Sequence, residues 1–98
     1  MVAQLPVTKR ARGRLAQAAA QIAAGDVAGM QAVRVALAAV NLHGASAALQ
    51  HLGYDDIEMM LDLNETEIEE MIQLVGLSAG HALRIKRMIG TLLEMLEG

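Results

Sequence analysis

Asp62-Leu-Asn64-Glu-Thr66 puts oxygen-bearing side chains at alternate positions, as a calcium-binding EF-hand loop does for its first three ligands. The sixth position of such a loop is a glycine that turns the chain sharply, and here it is Glu67; the bidentate glutamate of the twelfth is Gln73. Turn and closing ligand are both missing, so no calcium site is expected. The three imidazoles are His43, His51 and His81. Eight residues of helix would turn His51 about 80° away from His43, and a helix break separates both from His81. Each reads as a surface or capping histidine, and no metal is expected. Asp55, Asp56 and Glu58 are acidic enough for proton transfer, but catalytic carboxylates need a pocket and a perturbed environment, whereas these are neighbours in a solvated charge run. Ser46 and Ser78 lack the glycine elbow of a serine nucleophile, and Ser78 is better placed as a helix cap. With no cysteine in the chain, disulfides, thiolate zinc sites and thiol catalysis are all excluded. The residues therefore point to a protein that is not an enzyme and carries no cofactor.

The charges are more informative than the nucleophiles. Net charge is only −3, yet eight of the eleven acids lie between Asp55 and Glu70 with no lysine or arginine among them. The bases sit elsewhere: Lys9, Arg10, Arg12 and Arg14 near the start, Arg34 alone, and Arg84, Lys86 and Arg87 near the end. Such segregation makes the chain a charge dipole along its length. Four cations within the first basic stretch could contact phosphates or form a nuclear import signal, and phosphate binding of that kind is salt-sensitive. Base stacking has little to work with, because Tyr54 is the single aromatic residue. A small nucleic-acid-associated protein is thus the alternative reading, not the leading one.

These side chains need elements to carry them, and the pattern is helical throughout. Residues 8–24 are rich in helix formers, with Thr8 as a possible N-cap and Gly25-Asp26 as a stop. Because the apolar residues there are mostly alanine, the segment is expected to bury little, and residues 1–26 read as a basic, Ala-rich arm or extra helix ahead of a domain at 27–98. From about 27 to 41, Met30, Val33, Leu37 and Val40 recur at three- and four-residue steps, one face of a helix. Asn41-Leu-His-Gly44 breaks it. A short helix over 45–52 ends at Gly53, and another runs from Asp55 to about Leu61. Asn64 and Glu67 form a capping box ahead of a helix whose inward face is Ile68, Met71, Ile72 and Val75. Gly76 stops that helix, and Ser78 caps the last and longest, with Ile85, Met88, Ile89, Leu92 and Leu96 at helical spacing. No stretch alternates as a strand would, and the single proline is at position 6, so an all-α bundle is expected. Met59, Met60, Met71, Met88 and Met95 read as gap-fillers of an aliphatic core.

The order of local signals from about Gln31 to Leu93 resembles the sterile alpha motif (SAM) family. The features that carry the resemblance are a first helix ending near Asn41-Leu42, a second ending in Leu52-Gly-Tyr54, an acidic third and fourth helix, then Val75-Gly-Leu77 and Gly80-His81 leading into Arg84-Ile-Lys86-Arg-Met-Ile89. Within the family the pattern is similar to the amino-terminal conserved domain of the NAB-type transcriptional corepressors, through Val33-Arg-Val35, Ala39-Val-Asn-Leu42, Asp55-Asp56 and the stretch Glu69 to Gly76. Family members usually bury aromatic residues in the first helices, where this chain has Ala36, Ala38, Ala39, Ala47 and Ala48. The resemblance implies a compact five-helix SAM-like bundle, here preceded by the basic arm. It also implies non-catalytic association with itself or with another SAM-like or regulatory protein, head to tail, in a transcriptional or scaffolding setting.

The sequence supplies both halves of such a contact. Asp55, Asp56, Glu58, Met59, Asp62 and Glu65 make an acidic mid-chain face, and Gly80, His81, Leu83, Arg84, Lys86 and Arg87 a basic end-helix face. Complementary charges would set orientation and association rate, while apolar residues such as Met59, Met60 or Leu83 would supply affinity. Because the faces differ, a self-contact would be heterologous and would run on as a filament or ring. No apolar run reaches the length of a membrane span and no signal peptide opens the chain, so an intracellular protein, cytoplasmic or nuclear, is expected. The abrupt end after a long helix suggests an excised domain.

Overall fold

The computed structural model describes residues 8–97, and every regular element in them is helical. The first helix, α1 (Lys9–Ala24), starts where the Thr8 hydroxyl accepts the Ala11 N–H at 3.2 Å, and it stops at Gly25. Gly25 takes a left-handed conformation (φ 80°) that lets the N–H groups of Gly25 and Asp26 turn back to the carbonyls of Ile22 and Gln21. Helix α2 (Gly29–Ala39) follows without a side-chain cap, since Ala28 precedes it. The chain then turns through Asn41, the one non-glycine residue with positive φ among those described (59°), a conformation asparagine tolerates well. A 3₁₀ turn at His43–Ala45 leads into α3 (Ser46–His51), and Gly53 closes it.

Three further helices complete the bundle. Helix α4 (Ile57–Leu61) is capped by Asp56, whose carboxylate accepts the Glu58 N–H at 3.1 Å, so the helix begins two residues later than Asp55. Helix α5 (Glu65–Val75) has the full capping box: the Asn64 side chain accepts the Glu67 N–H at 2.8 Å, and the Glu67 carboxylate accepts the Asn64 N–H at 2.9 Å. Glu65 and Glu67 in its first turn also favour the positive end of the helix dipole. Gly76 ends it with φ 78°, and α6 (Ala79–Glu97) runs nineteen residues from there. Ser78 accepts the His81 N–H at 3.4 Å, a long and weak cap.

The protein is an all-α bundle with an aliphatic interior. Leu15, Val33, Leu37, Leu49, Met60, Met71, Ile85, Met88 and Leu92 are its largest fully buried side chains. Three of these are methionines, whose unbranched flexible chains fill gaps that branched residues leave. Met59 does not join them: it faces solvent at 36% exposure, and Met95 is half-buried. On α5, Met71 and Ile72 are buried as expected, while Ile68 and Val75 lie at the margin.

Helix α1 departs most from the sequence reading. It packs on both α2 and α6, burying Ala11, Leu15, Ala18 and Ala19, and Leu15 is completely enclosed. The alanines do not prevent burial. With little side-chain volume they let helix backbones approach closely, so a single leucine reaches the common core, and burying it contributes about 1.5–3 kcal/mol. Residues 1–7 and 98 lie outside the described residues, and with them the ends of the arm at 1–26 and of the domain at 27–98. Among the described residues, no helix is long and apolar enough to cross a membrane.

Candidate functional site

The acidic residues gather around α4. Asp56 is its N-cap, Glu58 and Met59 lie within it, Asp62 follows its last turn, and Glu65 opens α5. Asp55, Asp56, Glu58, Asp62 and Glu65 are all exposed, and none forms an ion pair among the described residues. Part of the charge serves the helices, through the caps of Asp56 and Asn64-Glu67. The remainder is a solvated acidic surface with Met59 exposed in it.

The basic residues of α6 are less alike than their spacing suggests. His81 is exposed, with its backbone N–H turned to Ser78. Leu83 is also exposed, at 39%. Lys86 forms an ion pair with Glu69 of α5 and so neutralises part of the acidic helix within the chain. Arg84 is exposed, and its Nη1 donates to the Val40 carbonyl at 3.4 Å. Arg87 is half-buried, and its Nε is fully enclosed with no acceptor among the described residues.

The first basic stretch divides in the same way. Lys9, Arg10 and Arg12 are exposed on the opening turns of α1, where positive charge opposes the helix dipole. Arg14 instead donates from Nε to the Ala39 carbonyl at 3.0 Å. Two arginines, one from each basic segment, therefore reach the last carbonyls of α2, which carry the negative end of that helix's dipole. A concavity of about 340 Å³ opens at this junction, lined among others by Arg14, Asn41, Gly80, Leu83, Arg84 and Arg87. Nothing in the sequence joined Arg14 to Arg84. The one available signal was that both segments are basic and both flank helix starts.

Two further leucines are exposed outside these surfaces. Leu74, at 58%, lies off the buried face of α5 and was readable as such; Leu52, at 40%, follows α3. No group of three or more histidine, aspartate or glutamate side chains among the described residues is arranged to hold a metal ion. Compared with protein-family models, curated proteins and solved structures, the chain matches none of them.

Proposed function

We propose that this protein is a non-catalytic association module whose acidic α4 face docks on the basic start of α6 in another copy or in a SAM-like or regulatory partner. The observation that carries the reading is that each charged surface holds an exposed apolar side chain, Met59 at 36% on the acidic side and Leu83 at 39% on the basic side. Apolar residues ringed by complementary charge are what a specific interface needs, because burial of the former gives affinity and the latter sets register. Asp55, Asp56, Glu58, Asp62 and Glu65 have no ion-pair partner among the described residues, which supports their charge being available to a partner. The resemblance to SAM domains, and to the corepressor domain among them, adds the expectation of head-to-tail geometry in a transcriptional or scaffolding protein of the cell interior.

Light scattering over a concentration series tests the self-association form. Wild type is expected to grow with concentration without stopping at a dimer, since unlike faces do not close on themselves. Met59→Arg and Leu83→Asp should each remain monomeric, and a mixture of the two should form a single 1:1 dimer, because each retains one intact face. A wild type that stays monomeric at high micromolar concentration would rule out self-association and leave the hetero-partner form alone.

A further inference from the structure

We infer that the junction of α1, α2 and α6 is a binding site for a small phosphate-bearing anion, held by Arg14, Arg84 and Arg87. The inference goes beyond association, although Gly80, Leu83, Arg84 and Arg87 also belong to the basic face of the proposed docking contact. Three arginines from opposite ends of the chain line one concavity of about 340 Å³, and among the described residues no carboxylate lines it. Gathering like charges at a partly enclosed place is unfavourable unless something of opposite sign joins them. The carbonyls of Ala39 and Val40 offset this in part, yet each takes up a single N–H of one arginine. A guanidinium has five N–H donors, so most of the donor capacity of Arg14 and Arg84 remains unspent.

Arg87 sharpens the argument. It lines the concavity, yet its Nε is enclosed and meets no acceptor among the described residues, a costly state for a charged donor that is relieved if the side chain turns toward a bound anion. Residues 1–7, Met-Val-Ala-Gln-Leu-Pro-Val, contain no carboxylate that could neutralise it. The first turns of α1 and α6 both reach the concavity, through Thr8 and Ala11 and through Gly80 and Leu83, and each brings the positive end of a helix dipole. Gly80 leaves open space where a Cβ would stand, so an anion can approach the backbone there. A tetrahedral phosphate offers several oxygens to several forks at once, which suits clustered arginines better than a single carboxylate does. The concave shape favours a compact anion over a running polymer backbone.

Titration of dilute protein with inorganic phosphate, followed by the arginine Nε–H and backbone N–H resonances in low-salt buffer, tests the site. Saturable shifts are expected at the Nε–H of Arg14, Arg84 and Arg87 and at the amides of Asn41 and Gly80. The exposed Arg84→Gln variant should bind roughly tenfold more weakly, whereas Arg34→Gln, away from the junction, should bind as wild type does. Unchanged melting temperatures separate lost binding from lost folding. Glycerol phosphate in place of inorganic phosphate distinguishes the sources: equal affinity assigns the site to the free ion, and tighter binding to a phosphorylated metabolite. The inference is overturned if shifts fail to saturate, if chloride at equal ionic strength reproduces them, or if Arg34→Gln weakens binding as much as Arg84→Gln. It is also overturned if a short single-stranded oligonucleotide binds through Lys9, Arg10 and Arg12 and phosphate does not compete. Repeating the titration with Met59→Arg, which loses the acidic docking face and leaves the junction intact, separates this result from the association measurement.

Discussion

Arg14 on the first helix donates its Nε–H to the carbonyl of Ala39, 3.0 Å away, and so fastens α1 to the carboxyl end of α2. The bond spans 25 residues and is partly buried, which distinguishes Arg14, itself an exposed residue, from Lys9, Arg10 and Arg12 beside it. Arg14→Ala should lower the free energy of unfolding by about 1–3 kcal/mol, the range for losing a hydrogen bond with a charged donor. Arg12→Ala, on the exposed side of the same helix, should change it by less than about 0.5 kcal/mol. Urea denaturation followed by circular dichroism measures both, and equal effects would show that the Ala39 contact carries no weight.

Leu15→Ala should cost about 2–5 kcal/mol, because Leu15 is wholly enclosed where α1 meets the common core. Removing residues 1–26 altogether should lower the melting temperature or abolish a cooperative transition, since it uncovers apolar surface on α2 and α6. An excised 27–98 segment as stable as the full chain would show that α1 rides on the bundle without supporting it.

Asn64→Ala should destabilise the protein by about 0.5–2 kcal/mol through loss of the α5 cap. Glu67→Gln should cost less, as glutamine also serves in a capping box. Chemical denaturation of the two variants gives the order directly, and a larger loss for Glu67→Gln would assign the stabilisation to charge at the helix start and not to the reciprocal hydrogen bonds.

Lys86→Gln should shift stability by no more than about 1 kcal/mol, as its pair with Glu69 is open to solvent. It should also weaken self-association less than Leu83→Asp does, because a lysine already engaged within its own chain has less to offer a neighbour. Sedimentation or light scattering of the two variants at one concentration decides the point. A stronger effect of Lys86→Gln would mean that the Glu69 pair opens on association.

What the residues disclose in advance is what they decide locally. Thr8, Asn64 and Ser78 announce helix starts because their own side chains accept the first free N–H groups, and Gly25, Gly53 and Gly76 announce stops because the chain takes positive φ there. Where no side chain marks the boundary, as at Ala28 before α2, the start is misplaced by about two residues. The 3₁₀ turn at His43–Ala45 is too short to leave a periodicity. The candidate surfaces divide along the same line. The exposure of the acids around α4 follows from their density, but the burial of Leu15, the Lys86–Glu69 pair and the meeting of Arg14 with Arg84 all depend on which distant helices pack together.

The packing of α1 against α6 joins the earliest helix of the described chain to the last, and it orders events during synthesis. Helix α1 can find α2 soon after both leave the ribosome, but the surface it offers to α6 must wait until α3, α4, α5 and then α6 itself have also emerged. Until then Leu15 lacks part of its enclosure, so nascent chains stalled before α6 should be the ones that aggregate or recruit chaperones, whatever the finished protein binds.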